Sequence, residues 1–164
     1  QVFIRRSTDG GRTFDHGKEM PYQQFTGGKS LPGGGMYYGD VGLFQLSSGR
    51  ILIAGDFMDP VLSDLSKKKQ HFTGVCMLSD DGGHSWRRSQ EITVDTPRGV
   101  MELQIVETEP DRLFCLFRTK GGYLYQTISE DGGETWSKSV PSPLTAPESM
   151  ARMIKLQSGN ACCA

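Results

Sequence analysis

A glutamate lies at the beginning of one apolar hairpin and an arginine at its end, and such charged side chains can transfer protons or bind anions. Glu102 opens the run 101–106, and Arg118 follows the run 113–117 after the turn 109–112. Antiparallel strands joined by a short turn bring these ends side by side, so we expect the two side chains to face one another at one rim. Burying these two charged side chains without partners would cost free energy, so we predict that Glu102 and Arg118 together form part of a functional site. The alternative is a cross-strand salt bridge, which contributes about 0.2–1 kcal/mol.

A second candidate group follows the glycine run 33–35. Tyr38 and Asp40 lead from this flexible loop into the apolar run 41–46. Loops on rigid scaffolds often carry function, so we predict that both residues line a central pocket and contact substrate. Tyrosines at a strand start are also ordinary β-strand composition, which is the structural alternative.

Three copies of one eight-residue signature form the framework that must position these residues. Each copy reads Ser-x-Asp-Gly-Gly-x-(Thr/Ser)-aromatic, at residues 7–14, 79–86 and 129–136. The aspartate can accept hydrogen bonds from backbone amides two residues on, the glycines supply positive φ, and the aromatic can bury against the next layer. Each copy follows a strand-like run, so we interpret it as a pinned β-hairpin with a structural role. Its repetition indicates a repeat architecture.

The signature resembles the Asp-box, or BNR repeat, of sialidases, whose catalytic domain is a six-bladed β-propeller. The resemblance implies an all-β fold, a partial six-bladed β-propeller of four-stranded antiparallel blades with Asp-box hairpins. Asp-boxes also occur in xyloglucan hydrolases and sorting receptors, so they imply the fold more strongly than an activity. The composition agrees, with 21 glycines and 8 prolines among 164 residues and no long run at helical period.

Apolar strand–turn–strand runs alternate with the signatures and define the predicted blades. These runs supply the inner two strands of a blade, and the Asp-box hairpins supply the outer two. We therefore predict one incomplete propeller domain of about three blades, with a loop insertion at 56–70. Its parts are the outer part of one blade with a loop (1–35), two whole blades (36–95 and 96–145) and the start of the next (146–164).

The resemblance also implies roles for particular residues. In sialidases three arginines hold the substrate carboxylate, a glutamate activates a nucleophilic tyrosine, and an aspartic acid transfers the proton. By resemblance Glu102 is the catalytic glutamate and Arg118 a carboxylate-binding arginine. Arg152, on the corresponding inner strand of the following blade, is a further substrate-binding candidate, or else a surface or packing arginine. The first arginine and the aspartate are expected before residue 1, and the tyrosine after residue 164.

The predicted function is that of a sialidase-like glycoside hydrolase of the exo-α-sialidase type, which removes terminal sialic acid. No residue matches the acid/base aspartate or the tyrosine, so the chain by itself is expected to be inactive. Two alternatives stay open: a non-catalytic Asp-box propeller that binds glycan or protein, and another Asp-box glycosidase. The expected partner is a sialylated or other glycan.

Three blades cannot close a ring, because propellers have at least about four. An open piece would expose unpaired strand edges, so we expect a central fragment of a longer protein, with self-association that completes the propeller as the second explanation.

Charge and cysteine content limit which other partners, metals or cofactors are expected. A formal net charge of −1 argues against a nucleic-acid partner, and no stretch approaches the roughly 18 apolar residues of a membrane span. No Cys/His cluster has zinc-ligand spacing, so neither a metal nor a cofactor is expected. Cys76 and Cys115 are predicted to be small buried hydrophobic residues, while Cys162 and Cys163 are adjacent at the end of the sequence.

Overall fold

The computed structural model describes residues 2–20, 22–29, 42–146 and 148–164. Four antiparallel sheets make up most of this range, in the order two strands, four strands, four strands and two strands. The first sheet pairs β1 (Val2–Ile4) with β2 (Lys18–Met20), and the short helix α1 (Tyr22–Thr26) follows.

Each four-stranded sheet is one blade whose strands follow one another in chain order. The first such blade contains β3 (Gly42–Gln45), β4 (Ile51–Met58), β5 (Phe72–Ser79) and β6 (Arg87–Arg88). The second contains β7 (Met101–Glu109), β8 (Arg112–Arg118), β9 (Tyr123–Ser129) and β10 (Val140–Thr145). The last sheet pairs β11 (Met153–Lys155) with β12 (Ala161–Cys163). The fold is all-β as predicted, and none of the described sheets closes on itself.

The main core lies between the two whole blades. Leu52 and Leu78 of one blade join Leu103 and Leu113 of the other in a single buried cluster. Each blade also contributes one fully buried cysteine to this cluster, Cys76 and Cys115, which confirms the prediction that both are small buried hydrophobic residues. The other members of the cluster are Leu46, Ala54, Ile92, Val100, Ile105, Phe117 and Trp136. Burial raises the pKa of the Cys76 thiol to about 12. Apolar faces that meet between blades therefore fix how the blades stack.

The Asp-box turns are pinned by a hydrogen-bond pattern that all three copies share. In the second copy, Asp81 Oδ1 accepts from the amides of His84 and Ser85, both at 2.9 Å, and Oδ2 accepts from the Ser85 hydroxyl at 2.6 Å. The Ser79 hydroxyl donates to Asp81 at 2.8 Å and accepts the Gly83 amide at 2.7 Å. The amides bound by the aspartate lie three and four residues on, whereas two residues on was expected.

Burial of the final aromatic differs among the Asp-boxes. Trp136 is 8% exposed inside the interblade core, Trp86 is partly buried, and Phe14 is 59% exposed. The burial that the signature allows is therefore not found for Phe14 in the described structure. Whether the ring is covered depends on the neighbouring blade, not on the turn itself.

Two segments contain more strand than the sequence indicated. Strand β4 continues to Met58, inside the predicted loop 56–70, because Asp56 pairs with Gly74 and Met58 with Phe72. Residues 161–163, at the end of the predicted start of a blade (146–164), form β12 because a turn with Gly159 at φ 88° folds them back onto β11. Backbone pairing here needs no apolar side chains.

The helices within the described ranges are α1 and a single 3₁₀ turn, Leu65–Lys67. Neither is long and apolar enough to cross a membrane.

Candidate active site

A β-bulge at the start of β7 shapes the site. Met101 pairs with Arg118 across the hairpin, and the next paired positions are Gln104 and Leu116. Glu102 and Leu103 therefore stand opposite a single residue of β8. Such a bulge bends its strand and changes the direction of its side chains, and bulges are frequent beside active sites.

The bulge brings the predicted pair together. Arg118 Nη1 donates to Glu102 Oε1 at 2.8 Å, and the two side chains are only 21% and 23% exposed. Regular alternation would place Glu102 on the opposite face from its neighbour Met101, which is the residue paired with Arg118. The extra residue and the left-handed backbone of Glu102, with φ at 56°, let its carboxylate reach the guanidinium.

The Glu102–Arg118 pair is incompletely satisfied. Glu102 Oε2 and Arg118 Nε are buried and have no hydrogen-bond partner among the residues that the structure describes. A buried polar group without a partner typically costs about 1–3 kcal/mol, so a salt bridge with a purely structural role is usually more fully bonded. Each member of the pair therefore keeps hydrogen-bonding capacity that the described residues leave unused.

A third residue, which the sequence analysis missed, holds this glutamate from the neighbouring blade. Asp56 of β4 is 1% exposed, and its Oδ1 accepts the backbone amide of Glu102 at 2.8 Å. The only local signal was an aspartate directly after an apolar run, and it was interpreted as the beginning of a loop. Contacts between blades leave no mark on the local sequence pattern.

The turn after Arg118 is also fixed by hydrogen bonds. Thr119 is 1% exposed, and its hydroxyl donates to the Tyr123 carbonyl at 3.1 Å and accepts the Gly121 amide at 3.0 Å. The ring of Tyr125 packs against that of Phe117, with centroids 6.3 Å apart. These contacts stabilise the end of β8 from which Arg118 extends.

Of the remaining predicted site residues, Arg152 lies in the described part of the chain, outside this ion pair. Arg152 is exposed beside β11, and its backbone pairs with Ala164 at 2.9 and 3.0 Å. Tyr38 and Asp40 lie outside the described residues.

A second charged cluster joins α1 to the next blade. Lys29 Nζ lies 2.9 Å from both Asp59 Oδ2 and Glu91 Oε1, and Arg88 donates to Glu91 at 2.7 Å. Both cations lie over the Phe57 ring, at 5.5 and 5.6 Å from its centroid. Burial alone would raise the pKa of Asp59, but the hydrogen bonds from Lys29 and from backbone amides lower it overall. Because its charges are paired with one another, this cluster suits a structural role.

No group of three or more metal-ligating side chains occurs within the described ranges. A carboxylate beside a guanidinium can transfer a proton and bind an anion.

Residues 1–164 match the family described as BNR repeat-like domain, and the chain belongs to that family. It is similar to the anhydrosialidase of Macrobdella decora, with 33% identity over 93 residues, which are 57% of this chain and 12% of that protein. The chain thus spans about an eighth of this curated relative.

Solved structures show the same fold. The chain resembles a protein of unknown function from Dyadobacter fermentans DSM 18053 with a TM-score of 0.73 and 23% identity, covering 98% of this chain and 43% of that one. It resembles the Hadza microbial sialidase Hz136 with a TM-score of 0.70 and 22% identity, covering 98% and 30%. For the NanB sialidase of Streptococcus pneumoniae the TM-score is 0.66 at 23% identity, covering 97% and 22%. The predicted sialidase-type propeller fold is confirmed.

Proposed function

We propose that this chain supplies part of the active site of a sialidase-type glycoside hydrolase of the exo-α-sialidase class. The observation that carries the proposal is the buried pair of Glu102 and Arg118, with Glu102 Oε2 and Arg118 Nε unpaired among the described residues. The kinship with sialidases supports it at the level of the family.

Arg118 is the anion-binding member of the proposed site. A guanidinium stays charged at every physiological pH, and its planar fork matches a carboxylate. Its Nη1 is already bonded to Glu102, whereas Nε is buried and unpaired within the described structure, so the guanidinium keeps donor capacity for a ligand that reaches it. Sialic acid carries the carboxylate that this donor requires.

Glu102 is the proposed base. Its Oε2 takes the phenolic proton of a tyrosine while the phenolate oxygen bonds to the anomeric carbon and the glycosidic C–O bond breaks. The departing sugar oxygen takes a proton from a separate acid. No tyrosine or acid of this chain was matched to those roles, so we expect the chain alone to bind sialic acid without hydrolysing its glycosides.

Binding of N-acetylneuraminic acid to the isolated chain tests the proposal, with saturation-transfer NMR as the measurement. We expect Arg118→Lys to weaken binding by about tenfold or more, because a charge-assisted hydrogen bond is lost. Glu102→Gln should strengthen binding about two- to fivefold, because a carboxylate that competes for Arg118 is removed.

The matched control lies on the same strand. Arg112 pairs with Glu130 at 3.1 Å at the other end of β8, so Arg112→Lys should leave binding unchanged. Equal affinities for the parent chain and the Arg118→Lys variant would overturn the proposal. Binding of galactose as tight as that of sialic acid would also overturn it and favour a general glycan-binding propeller. A fluorogenic sialoside, assayed in parallel, reports any turnover.

A further inference from the structure

The buried carboxylate of Asp56 acts on Glu102 from a different blade. Asp56 lies on β4, whereas Glu102 and Arg118 belong to the hairpin of β7 and β8. Its side chain is almost fully buried, and its Oδ1 accepts the Glu102 amide at 2.8 Å.

The backbone of Glu102 needs such support. A left-handed conformation is unfavourable for a non-glycine residue, and it persists only where the surroundings hold it. The bulge gives Glu102 no partner in the ladder of β7 and β8, so its amide requires an acceptor from elsewhere. Asp56 provides that acceptor.

We propose that Asp56 is a positioning residue, which keeps the bulge of β7 in place and thereby holds the Glu102 carboxylate against Arg118. This role rests on the proposed function of the pair. Without Asp56 the segment relaxes towards regular extended backbone, in which alternation turns the Glu102 side chain away from Arg118. A base must lie within hydrogen-bond reach of its proton, and an error of about 1 Å can lower a rate by about 10²-fold.

Amide hydrogen exchange of the ¹⁵N-labelled chain measures this role without any substrate. We expect Asp56→Ala to speed exchange of the Glu102 amide about tenfold or more and to shift the Arg118 Nε signal. Asp56→Asn keeps an acceptor oxygen and should retain most of the protection. If Asp56→Ala does not fold, Asp56→Asn carries the test, and loss of protection at Glu102 in the folded Asn variant would overturn the proposal.

The hairpin offers a matched control at its other end. Asp111 also has a left-handed backbone, with φ at 59°, and its amide donates to Glu107 Oε1 at 3.2 Å. Glu107→Ala should therefore speed exchange at Asp111 and leave Glu102 protected. If Asp56→Ala leaves the Glu102 exchange rate unchanged, Asp56 is not a positioning residue.

Ligand binding adds a measurement that general destabilisation would not reproduce. If Asp56 acts through Glu102, Asp56→Ala should strengthen sialic acid binding as Glu102→Gln does, and the double variant should gain nothing more. Additive gains would overturn the positioning role. If Arg118→Lys leaves binding unchanged, the proposed function fails while the exchange result still decides the role of Asp56.

Discussion

Glu102 differs from the other non-glycine residues that have positive φ in the described structure. Lys68 caps a 3₁₀ turn, Asp111 lies in the hairpin turn, and Glu148 follows the last strand of a blade. Glu102 alone among these four lies inside a strand, where regular backbone would be extended. Strain of this kind concentrates at functional positions, where the side chain needs an unusual direction.

The strained backbone at position 102 predicts that a glycine variant is more stable than an alanine variant, the reverse of the usual order within a strand. Glu102→Gly should have a free energy of unfolding about 1 kcal/mol higher than Glu102→Ala, because glycine adopts positive φ freely. Both variants lose the ion pair, so the comparison isolates the backbone. Urea denaturation measures the difference.

The control for this comparison is Glu109, at the other end of β7. Its φ is not positive, so Glu109→Ala should be more stable than Glu109→Gly. If alanine is also the more stable replacement at position 102, the backbone there is not strained.

At the residue scale, the sequence predicted that Glu102 and Arg118 face one another, but not the β-bulge and the Asp56 hydrogen bond that hold Glu102 in place. The sequence indicates Glu102 and Arg118 because one begins and the other ends a single hairpin, which brings them to the same rim. Neither the bulge nor Asp56 could be inferred, because alternation does not mark an extra residue and the partner lies 46 positions earlier, on another blade.

At the scale of the element, the Asp-box was the most informative pattern. Its glycines have the predicted positive φ in all three hairpins, and in each one the serine hydroxyl accepts the amide of the second glycine, since these interactions are local. The burial of its aromatic was not predictable from the copy alone, as Phe14 and Trp136 demonstrate. The extension of β4 past Gly55 was missed because Gly-Asp is typical of a turn, yet β5 supplies the pairing.

Acid should weaken the Asp-box hairpins. Hydrogen bonds from the hydroxyl and amide of Ser85, and from Ser79, hold the pKa of Asp81 well below its ordinary value of 3.8. Because the folded pKa is depressed, the stabilisation is complete above about pH 4 and is lost as pH falls through the folded value. Asp81→Asn should therefore lower the melting temperature at neutral pH, and the difference from the parent chain should shrink below about pH 4.

Differential scanning fluorimetry over a pH series measures this effect. Ser85→Ala removes the hydroxyl that donates to Asp81 Oδ2, so its effect should be much smaller in the Asp81→Asn background. A melting-temperature difference that stays constant into acid would contradict the assignment.

At the scale of the whole molecule, arginines link consecutive blades through equivalent atoms. Arg6, beside the first Asp-box, donates to the Gly82 carbonyl of the second box at 3.0 and 2.9 Å. Arg50 donates to the Gly132 carbonyl of the third box at 3.1 Å and to the Asp131 carbonyl at 3.0 Å. The two carbonyls belong to the same position of the signature, so the second and third boxes each also anchor the preceding part of the propeller.

Arg50→Gln should lower the free energy of unfolding by about 2 kcal/mol, because charge-assisted hydrogen bonds between blades are lost. Arg50 also pairs with Asp80 at 2.7 Å and is 18% exposed, so solvent replaces these bonds poorly. Arg112→Gln, which affects an exposed pair within one blade, should change stability by less than about 1 kcal/mol. Equal losses in both variants, measured by urea denaturation, would rule out the interblade role.

The blade order was predictable because the signatures recur along the chain. The links between blades were not, since Arg6 and Gly82 are 76 residues apart and nothing local marks them as partners.

The backbone at Glu102 has a consequence for how this sequence can drift. Once the ion pair with Arg118 is no longer needed, random substitution under selection for folding should favour glycine at this position, since glycine removes the strain. A glutamate persists there only under a pressure that acts on its carboxylate. A lineage released from that pressure would lose Glu102 early while its Asp-boxes, which serve the fold, stayed intact.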